Sequence, residues 1–217
     1  MTAQSPHAFD RSWATRAIPS TLWSVGSDPI DPGDRWPTPI VSRAVTEFCH
    51  PGGRVALLPA SAPATRGALT VMPSDVAEAL ATVESLGRTG QIELAVPGAE
   101  RWPAELVLAS LLDSNLDSMA AAERVAELAV RQLSEGGLLV VLSRCHHGRD
   151  GALHDPAASV VAAAQAADLL YLQHIVAAPI TSTTIAAPNT PAPSHGAHVL
   201  VHTDVFVFLN PRPAPTQ

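Results

Sequence analysis

The sequence predicts an α/β fold built on a mostly parallel sheet whose last strand is antiparallel. Over the 217 residues, short apolar runs that suit buried strands alternate with stretches of helical periodicity. Glycine and proline turns separate the segments. The last two predicted strands are joined without a helix, which indicates an antiparallel pair because a parallel crossover needs a dozen or more residues. We therefore expect one domain over residues 21–211.

The first quarter of the chain predicts an arm, a proline-rich segment, a helix and a strand. Residues 1–20 are polar and irregular, which is typical of a flexible N-terminal arm. Residues 28–39 contain four prolines and are not expected to be helical. Apolar spacing predicts a short helix over 40–48, which Pro51-Gly52-Gly53 ends. The continuous apolar run over 54–58 predicts a strand buried on both faces.

The middle of the chain alternates strands with helices. We expect strands at 69–72, 91–96 and 106–109. Ser74 is placed to cap a helix from Asp75 to Leu86, which Gly87 ends. Residues 116–133 form a long amphipathic pattern, and Gly136-Gly137 is expected to end that helix.

The last third of the chain predicts three more strands and a helix. The strands are 138–143, 169–178 and 198–209, and an alanine-rich helix over 156–167 separates the first two. A long Thr/Pro/Ala-rich loop at 181–196 joins the last pair. Residues 212–217 are expected to form a tail.

Composition and charge exclude several classes of protein. The net charge is −7, and all 13 basic residues are arginine. Without lysine there is no phosphate-binding GxxxxGK loop. An acidic chain is a poor match for the phosphate backbone over its whole surface, so any DNA contact needs a local arginine cluster. Two such clusters are Arg11, Arg16, Arg35 and Arg43, and Arg144 with Arg149.

Cysteine and hydropathy patterns predict a cytoplasmic protein with no membrane span. Cys49 and Cys145 lack CxxC spacing and are expected to be reduced thiols. No apolar run reaches the roughly 18 residues that a span needs, and the N-terminus does not resemble a secretory signal.

Two histidine groups invite comparison with metal sites. Cys145, His146, His147 and His154 follow a predicted strand, and His195, His198 and His202 surround the last one. Adjacent residues seldom converge on one ion. His198 and His202 would share a face of a strand, where a metal or a proton switch is conceivable. We predict no metal site.

Three passages resemble S-adenosylmethionine-dependent DNA methyltransferases of the adenine-N6 or cytosine-N4 type. Residues 51–59 (PGGRVALLP) are similar to the strand that opens the family's domain, and 133–141 (LSEGGLLVV) are similar to its LxPGGLLVV turn and strand. Residues 171–177 and 202–208 resemble its closing strand pair. The order and spacing match over roughly residues 20–211. The resemblance implies a Rossmann-like methyltransferase fold.

The positions that would hold the cofactor depart from the family's pattern. The family ends its first strand in Asp-Pro before a glycine-rich turn, whereas this chain has Leu58-Pro59 and then Ala60-Ser61-Ala62-Pro63. A strand beginning at Leu69 leaves little room for the first crossover helix, so we expect that helix to be shortened or missing. The acidic residue that holds the ribose in the family has only Asp75 as a nearby counterpart, although a helix cap explains Asp75 equally well. The vestigial cofactor positions are therefore Pro59, Ser61 and Asp75.

The catalytic motif is also altered. The family places (Asp/Asn/Ser)-Pro-Pro-(Tyr/Phe) after its fourth strand, where it binds the target amine and stacks on a flipped base. Here the corresponding residues are Ser110-Leu111-Leu112-Asp113. Ser110 and Asp113 are the vestigial catalytic positions. Trp23, Trp36 and Trp102 are candidates either for pocket walls or for the core.

These departures predict a methyltransferase-like protein that has lost catalysis. We expect no cofactor and a function in binding DNA or a partner protein, such as an active methyltransferase, and self-association into a homo-oligomer stays open. The alternative is an active methyltransferase with a remodelled pocket that holds S-adenosylmethionine. An unrelated α/β binding module is the third possibility.

Overall fold

A computed structural model describes residues 21–59, 64–66, 69–71, 74–93, 102–113, 117–147, 151–182, 184–185 and 199–211. The main sheet contains seven strands. They are β1 (Leu22–Ser24), β2 (Arg54–Pro59), β3 (Thr89–Ile92), β4 (Ala104–Ser110), β5 (Leu133–Ser143), β6 (Leu170–Ala178) and β7 (Thr203–Leu209). The helices are α1 (Thr38–Phe48), α2 (Ser74–Ser85), α3 (Ser118–Gln132) and α4 (Ala157–Ala166).

The strand order confirms the predicted Rossmann-like methyltransferase fold. The order across the sheet is β1-β6-β7-β5-β4-β2-β3. The pairs β1–β6, β5–β4, β4–β2 and β2–β3 are parallel. The last strand, β7, lies between β5 and β6 and is antiparallel to both. The prediction gave only an antiparallel pair of last strands, whereas the structure shows β7 inserted between two strands that are parallel to each other.

Each face of the sheet carries two helices and its own apolar core. The α1 and α2 face buries side chains such as Ile40, Leu57 and Val205. The α3 and α4 face buries Leu58, Val125 and Phe206. Alternation along β2 sends Leu57 and Leu58 to opposite cores, which explains the continuous apolar run of this strand.

The first crossover differs from the prediction. Leu69–Val71 pairs with Ala64–Arg66 in a separate hairpin and does not belong to the main sheet. The crossover helix that we expected to be shortened or missing is α2, with 12 residues. It leads into β3, which pairs in parallel with β2. The strand predicted at 69–72 is confirmed over Leu69–Val71, but its place in the main sheet was wrong, because length and hydropathy do not distinguish a hairpin arm from a central strand.

Other element bounds differ by small amounts. α1 begins at Thr38, two residues before the predicted start. Pro39 is tolerated there because an N–H group in the first turn of a helix has no partner within the helix. α3 begins after Asp117, whose carboxylate accepts from Met119 N at 3.0 Å and Ala120 N at 3.2 Å. It gives way to β5 at Leu133, three residues before the predicted Gly136-Gly137 stop.

Candidate functional site at the carboxyl edge of the sheet

The carboxyl ends of β2, β4 and β5 form one edge of the sheet, and a segment before α1 contacts it. We call residues 28–37 the strap. Rossmann-like folds bind ligands in the crevice beyond this edge, at the point where the strand order reverses. Pro59 and Ser110 are register partners at the ends of β2 and β4. The edge is therefore the place to examine the predicted site residues.

Ser110 is bound to the strap. It is 5% exposed, and its hydroxyl donates to the carbonyl oxygen of Arg35. The Leu112 N–H donates to the same hydroxyl oxygen at 3.4 Å. Ser110, which in the predicted catalytic motif would orient an acceptor amine, instead binds the strap to the end of β4.

Arg35 links the strap to both predicted carboxylates. Its NH2 lies 3.6 Å from Asp113 Oδ2, and its NH1 lies 3.9 Å from Asp75 Oδ2. The other oxygen of Asp75 accepts from Val76 N at 2.9 Å, in the first turn of α2. Partly exposed pairs of this kind contribute about 0–1 kcal/mol each. The structure therefore brings Ser110, Asp113 and Asp75 together, and the strap occupies all three.

Glu93 is the acidic residue that sequence reasoning missed. It follows β3, the neighbour of β2, and its N–H donates to the Leu57 carbonyl at 2.9 Å. Its side chain is buried, and Oε2 accepts from Gln132 Nε2 at 2.7 Å. Glu93 thus follows the strand next to β2, whereas Asp75 lies in the first turn of α2. The prediction extended the strand through 91–96, which hid the fact that Glu93 stands at its end.

Part of the predicted cofactor turn lies outside the described residues. Pro59 is the last residue of β2, whereas Ser61 and the rest of 60–63 are not described. The hairpin of residues 64–66 and 69–71 then precedes α2. In the described part of the chain, the hairpin and then the full-length helix α2 follow the strand.

Two of the three tryptophans considered as pocket walls belong to the core. Trp23 is fully buried and Trp36 is 5% exposed, and both pack in the α1-side core. Trp102 is partly buried against the opposite core, with the Arg54 guanidinium 5.6 Å from its ring centroid. Tyr171 is 41% exposed on β6, with its ring 5.6 Å from that of Phe208.

Arg144 is a buried cation at the end of β5. It is 5% exposed, and its Nε donates to Thr203 Oγ1 at 3.2 Å. NH1 donates to the strap carbonyls of Asp31 at 3.1 Å and Pro32 at 3.3 Å. Burial lowers the pKa of Arg144, and the charges of Asp34 and Asp31 oppose that shift. Its predicted place in a surface arginine cluster is therefore wrong.

A carboxylate between two histidines occupies the other side of β7. Asp204 Oδ1 lies 2.7 Å from His174 Nε2 and 3.3 Å from His202 Nε2. Burial opposes ionisation of Asp204, but hydrogen bonds from His202 and His174 and their charges bring its pKa below the usual value. The hydrogen bond with Asp204 raises the pKa of His202, against burial and with the charges of Asp204 and Asp155. The ionised form of Asp204 and the protonated form of His202 are therefore favoured together.

The predicted histidine groups do not assemble into a metal centre within the described part of the chain. There, no three His, Cys, Asp or Glu side chains are arranged to hold an ion. His146–His147 and Leu153–His154 form a short hairpin in which the His146 and His154 rings stack at 5.5 Å. His202 precedes β7, so it is not a strand residue as predicted, and His195 and His198 lie outside the described residues. Cys49 and Cys145 are both free.

No protein-family model matches the sequence, and no curated protein does. Solved structures match the fold at low identity. The N-methyltransferase NodS from Bradyrhizobium japonicum WM9, in complex with S-adenosyl-L-homocysteine, is 12% identical over 83% of this chain and 90% of its own, with a TM-score of 0.46. The [4+2]-cyclase SpnF is 14% identical over 87% and 88%, with a TM-score of 0.47.

A structure named as a DNA modification methylase, from Thermus thermophilus, is 11% identical over 82% of this chain and 53% of its own, with a TM-score of 0.35. These likenesses concern the fold alone, and the resemblance to DNA amino-methylases in particular stays a prediction. Among the described residues, every helix is too short or too polar to cross a membrane.

Proposed function

We propose that this chain is a methyltransferase-like protein that does not transfer methyl groups and acts by binding a partner protein. The observation that carries the proposal is the strap. Ser110, Asp113 and Asp75, the polar groups at the positions where the resembled family works on its substrate and cofactor, are all engaged by Arg35. An active site needs polar groups that are free to bind a ligand, and here Arg35 of the strap already binds these three side chains.

The described residues are a poor fit for S-adenosylmethionine. Glu93 holds the position of the ribose acid, but it is 8% exposed and accepts a hydrogen bond from Gln132. A buried carboxylate with an internal partner has little capacity left for two ribose hydroxyls. Leu58 replaces the family's aspartate at the end of the opening strand and packs in the α3-side core.

The distribution of arginine supports a protein partner over DNA. Of the predicted clusters, Arg144 is buried, and Arg35 and Arg43 pair with acidic side chains. Arg11, Arg16 and Arg149 lie outside the described residues. With a net charge of −7 and these three arginines bonded within the chain, we expect a protein partner in preference to a phosphate backbone.

Calorimetric titration with S-adenosylmethionine tests the loss of the cofactor site. We expect no saturable heat, and micromolar binding would refute the proposal. A gel-shift series with duplex DNA over increasing salt tests the choice of partner. A salt-dependent shift would replace the protein partner with DNA, whereas no shift even at low salt supports the protein.

Glu93 favours one second candidate, an active methyltransferase with a remodelled pocket. An acid in that position is what a working cofactor site would keep. Incubation with cofactor carrying a labelled methyl group, with DNA, RNA or small amines as acceptors, distinguishes the two candidates. Label transferred to any acceptor supports the enzyme, and Glu93→Gln is then expected to reduce the transfer.

A further inference from the structure

Within the described part of the chain, Arg144 makes no ion pair although it is almost fully buried. Its NH2 group is buried and has no hydrogen-bond partner there, while Nε and NH1 donate to a hydroxyl and to backbone carbonyls. Burying a charge without a hydrogen-bonded ionic partner is strongly unfavourable. Natural structures seldom retain such a group without a reason.

The charges of two carboxylates, Asp31 and Asp34, act on Arg144, although neither forms an ion pair with it. Asp31 Oδ1 accepts from Gly33 N at 2.8 Å, and Asp34 Oδ1 accepts from Trp36 N at 2.9 Å. Both bonds lie inside the strap. No carboxylate of the described chain comes within 4.0 Å of the Arg144 guanidinium. The strap thus supplies neutral acceptors where an anion would bind more strongly.

A second unpaired donor projects from the same face of the sheet. Trp23 Nε1 is buried and makes no hydrogen bond. Trp23 is the register partner of Ala177, which is in turn the partner of Thr203, the residue that binds Arg144. These residues lie side by side across the sheet. The two unpaired N–H groups, of Trp23 and Arg144, are therefore level with the carboxyl end of β5, on the face that α1 covers.

We propose that Arg144 is the receptor for a small-molecule oxyanion, a carboxylate or a phosphate group, that binds at the end of β5 in competition with the strap carbonyls. The NH1 and NH2 groups of one guanidinium match two oxygens of such an anion. A charge-assisted pair is stronger than bonds to two neutral carbonyls, so the anion displaces the bonds from Asp31 and Pro32. The outer strap is suited to this exchange because residues 31–33 are exposed.

The site does not depend on the proposed function, since an anion can bind Arg144 with or without S-adenosylmethionine. The ligand group is small because the strap still holds the edge through Ser110 and Arg35. The unpaired NH2 group needs a hydrogen-bond acceptor, and the positive charge of the guanidinium selects an anion. In this proposal Arg144 binds a ligand and takes part in no reaction step.

The test is calorimetric titration with succinate and, separately, with inorganic phosphate, against chloride at matched ionic strength. We expect saturable binding of at least one of the two probes by the wild-type chain. Arg144→Met should weaken it by at least about tenfold, the loss expected from one charge-assisted hydrogen bond. Arg144→Lys, which keeps the charge and loses the fork, should give an intermediate affinity. Arg131→Met, which removes an exposed arginine that pairs with Glu127 on α3, is the matched control and should bind as the wild type does.

Hydrogen exchange gives a second readout. Bound anion should accelerate exchange at the amides of Gly33 and Asp34 in the wild type and leave them unchanged in Arg144→Met. Failure of both probes to saturate at tens of millimolar, or equal binding by Arg144→Met, overturns the inference and leaves Arg144 as a fastener of the strap. If S-adenosylmethionine itself binds and Arg144→Met abolishes that binding, the proposed function fails while the anion site stands.

Discussion

Replacing Asp204 with asparagine should destabilise the chain by an amount that depends on pH. The carboxylate is buried and accepts from His174 and His202. Hydrogen bonds to an ionised group contribute about 1.5–3 kcal/mol each. Both rings are more than a third exposed, so solvent screening reduces their sum, and we expect a loss of about 2 kcal/mol.

The direction of the pH dependence follows from the two shifted groups. The pKa of His202 is raised, so its stabilising contribution is complete below the unfolded value of 6.5 and is lost as pH rises through the folded pKa. The pKa of Asp204 is lowered, so its contribution is present above 3.8 and is lost as pH falls through the folded pKa. The gap between wild type and Asp204→Asn is therefore expected to be largest near about pH 5, and to be smaller near about pH 9, where the His202 contribution is lost and the Asp204 contribution remains.

Urea unfolding followed by circular dichroism, at both pH values, measures this gap. Asp117→Asn is the control, because it removes the same charge while asparagine still caps α3. The control should show little change at either pH. A gap of equal size at the two pH values, or an Asp204→Asn variant as stable as the wild type near pH 5, would show that the histidines do not stabilise Asp204 as described.

Three further changes test the packing of the fold, each by urea unfolding. Asp117→Ala removes the α3 cap and should cost about 1 kcal/mol, whereas Asp117→Ser should restore most of it. Gly90→Ala should cost about 1 kcal/mol, because the added methyl overlaps the end of the Leu80 side chain and crowds Val83 on α2, and a neutral result would mean that the Leu80 side chain turns aside without loss of packing. Leu108→Ala opens a cavity in the fully buried centre of β4 and should cost about 2–5 kcal/mol, and a loss below about 1 kcal/mol would contradict the close packing of this core.

The sheet could be predicted from sequence because burial on both faces leaves a plain local pattern. The apolar runs of β2, β4 and β5 predicted central strands. The prolines of residues 28–39 predicted a segment without a helix, which is correct up to Pro37 and wrong for the last two residues, where α1 begins. These features depend on neighbours in the chain. They are therefore visible without knowledge of the tertiary structure.

The site was harder to predict because its contacts join distant parts of the chain. Ser110 binds a carbonyl 75 residues away, and Arg144 binds one 113 residues away. No local pattern indicates that an arginine after a strand will be covered by a proline-rich segment. Glu93 was missed for a related reason, since only the pairing of β3 with β2 shows that it follows a strand of the main sheet.

The place of β7 in the sheet also determines how the molecule can be assembled. Its neighbours β5 and β6 do not pair with each other, and every hydrogen bond that joins them runs through Thr203–Leu209. During synthesis, the ribosome releases this strand after all the other described strands. Until then the sheet consists of two separate parts, the pair β1-β6 and the group β5-β4-β2-β3. The edges of β6 and β5 that β7 later covers are exposed, and exposed strand edges can pair with other chains. A nascent chain of this protein therefore depends on late completion of its sheet, and chaperone protection before that step matters more than for a fold that closes in sequence order.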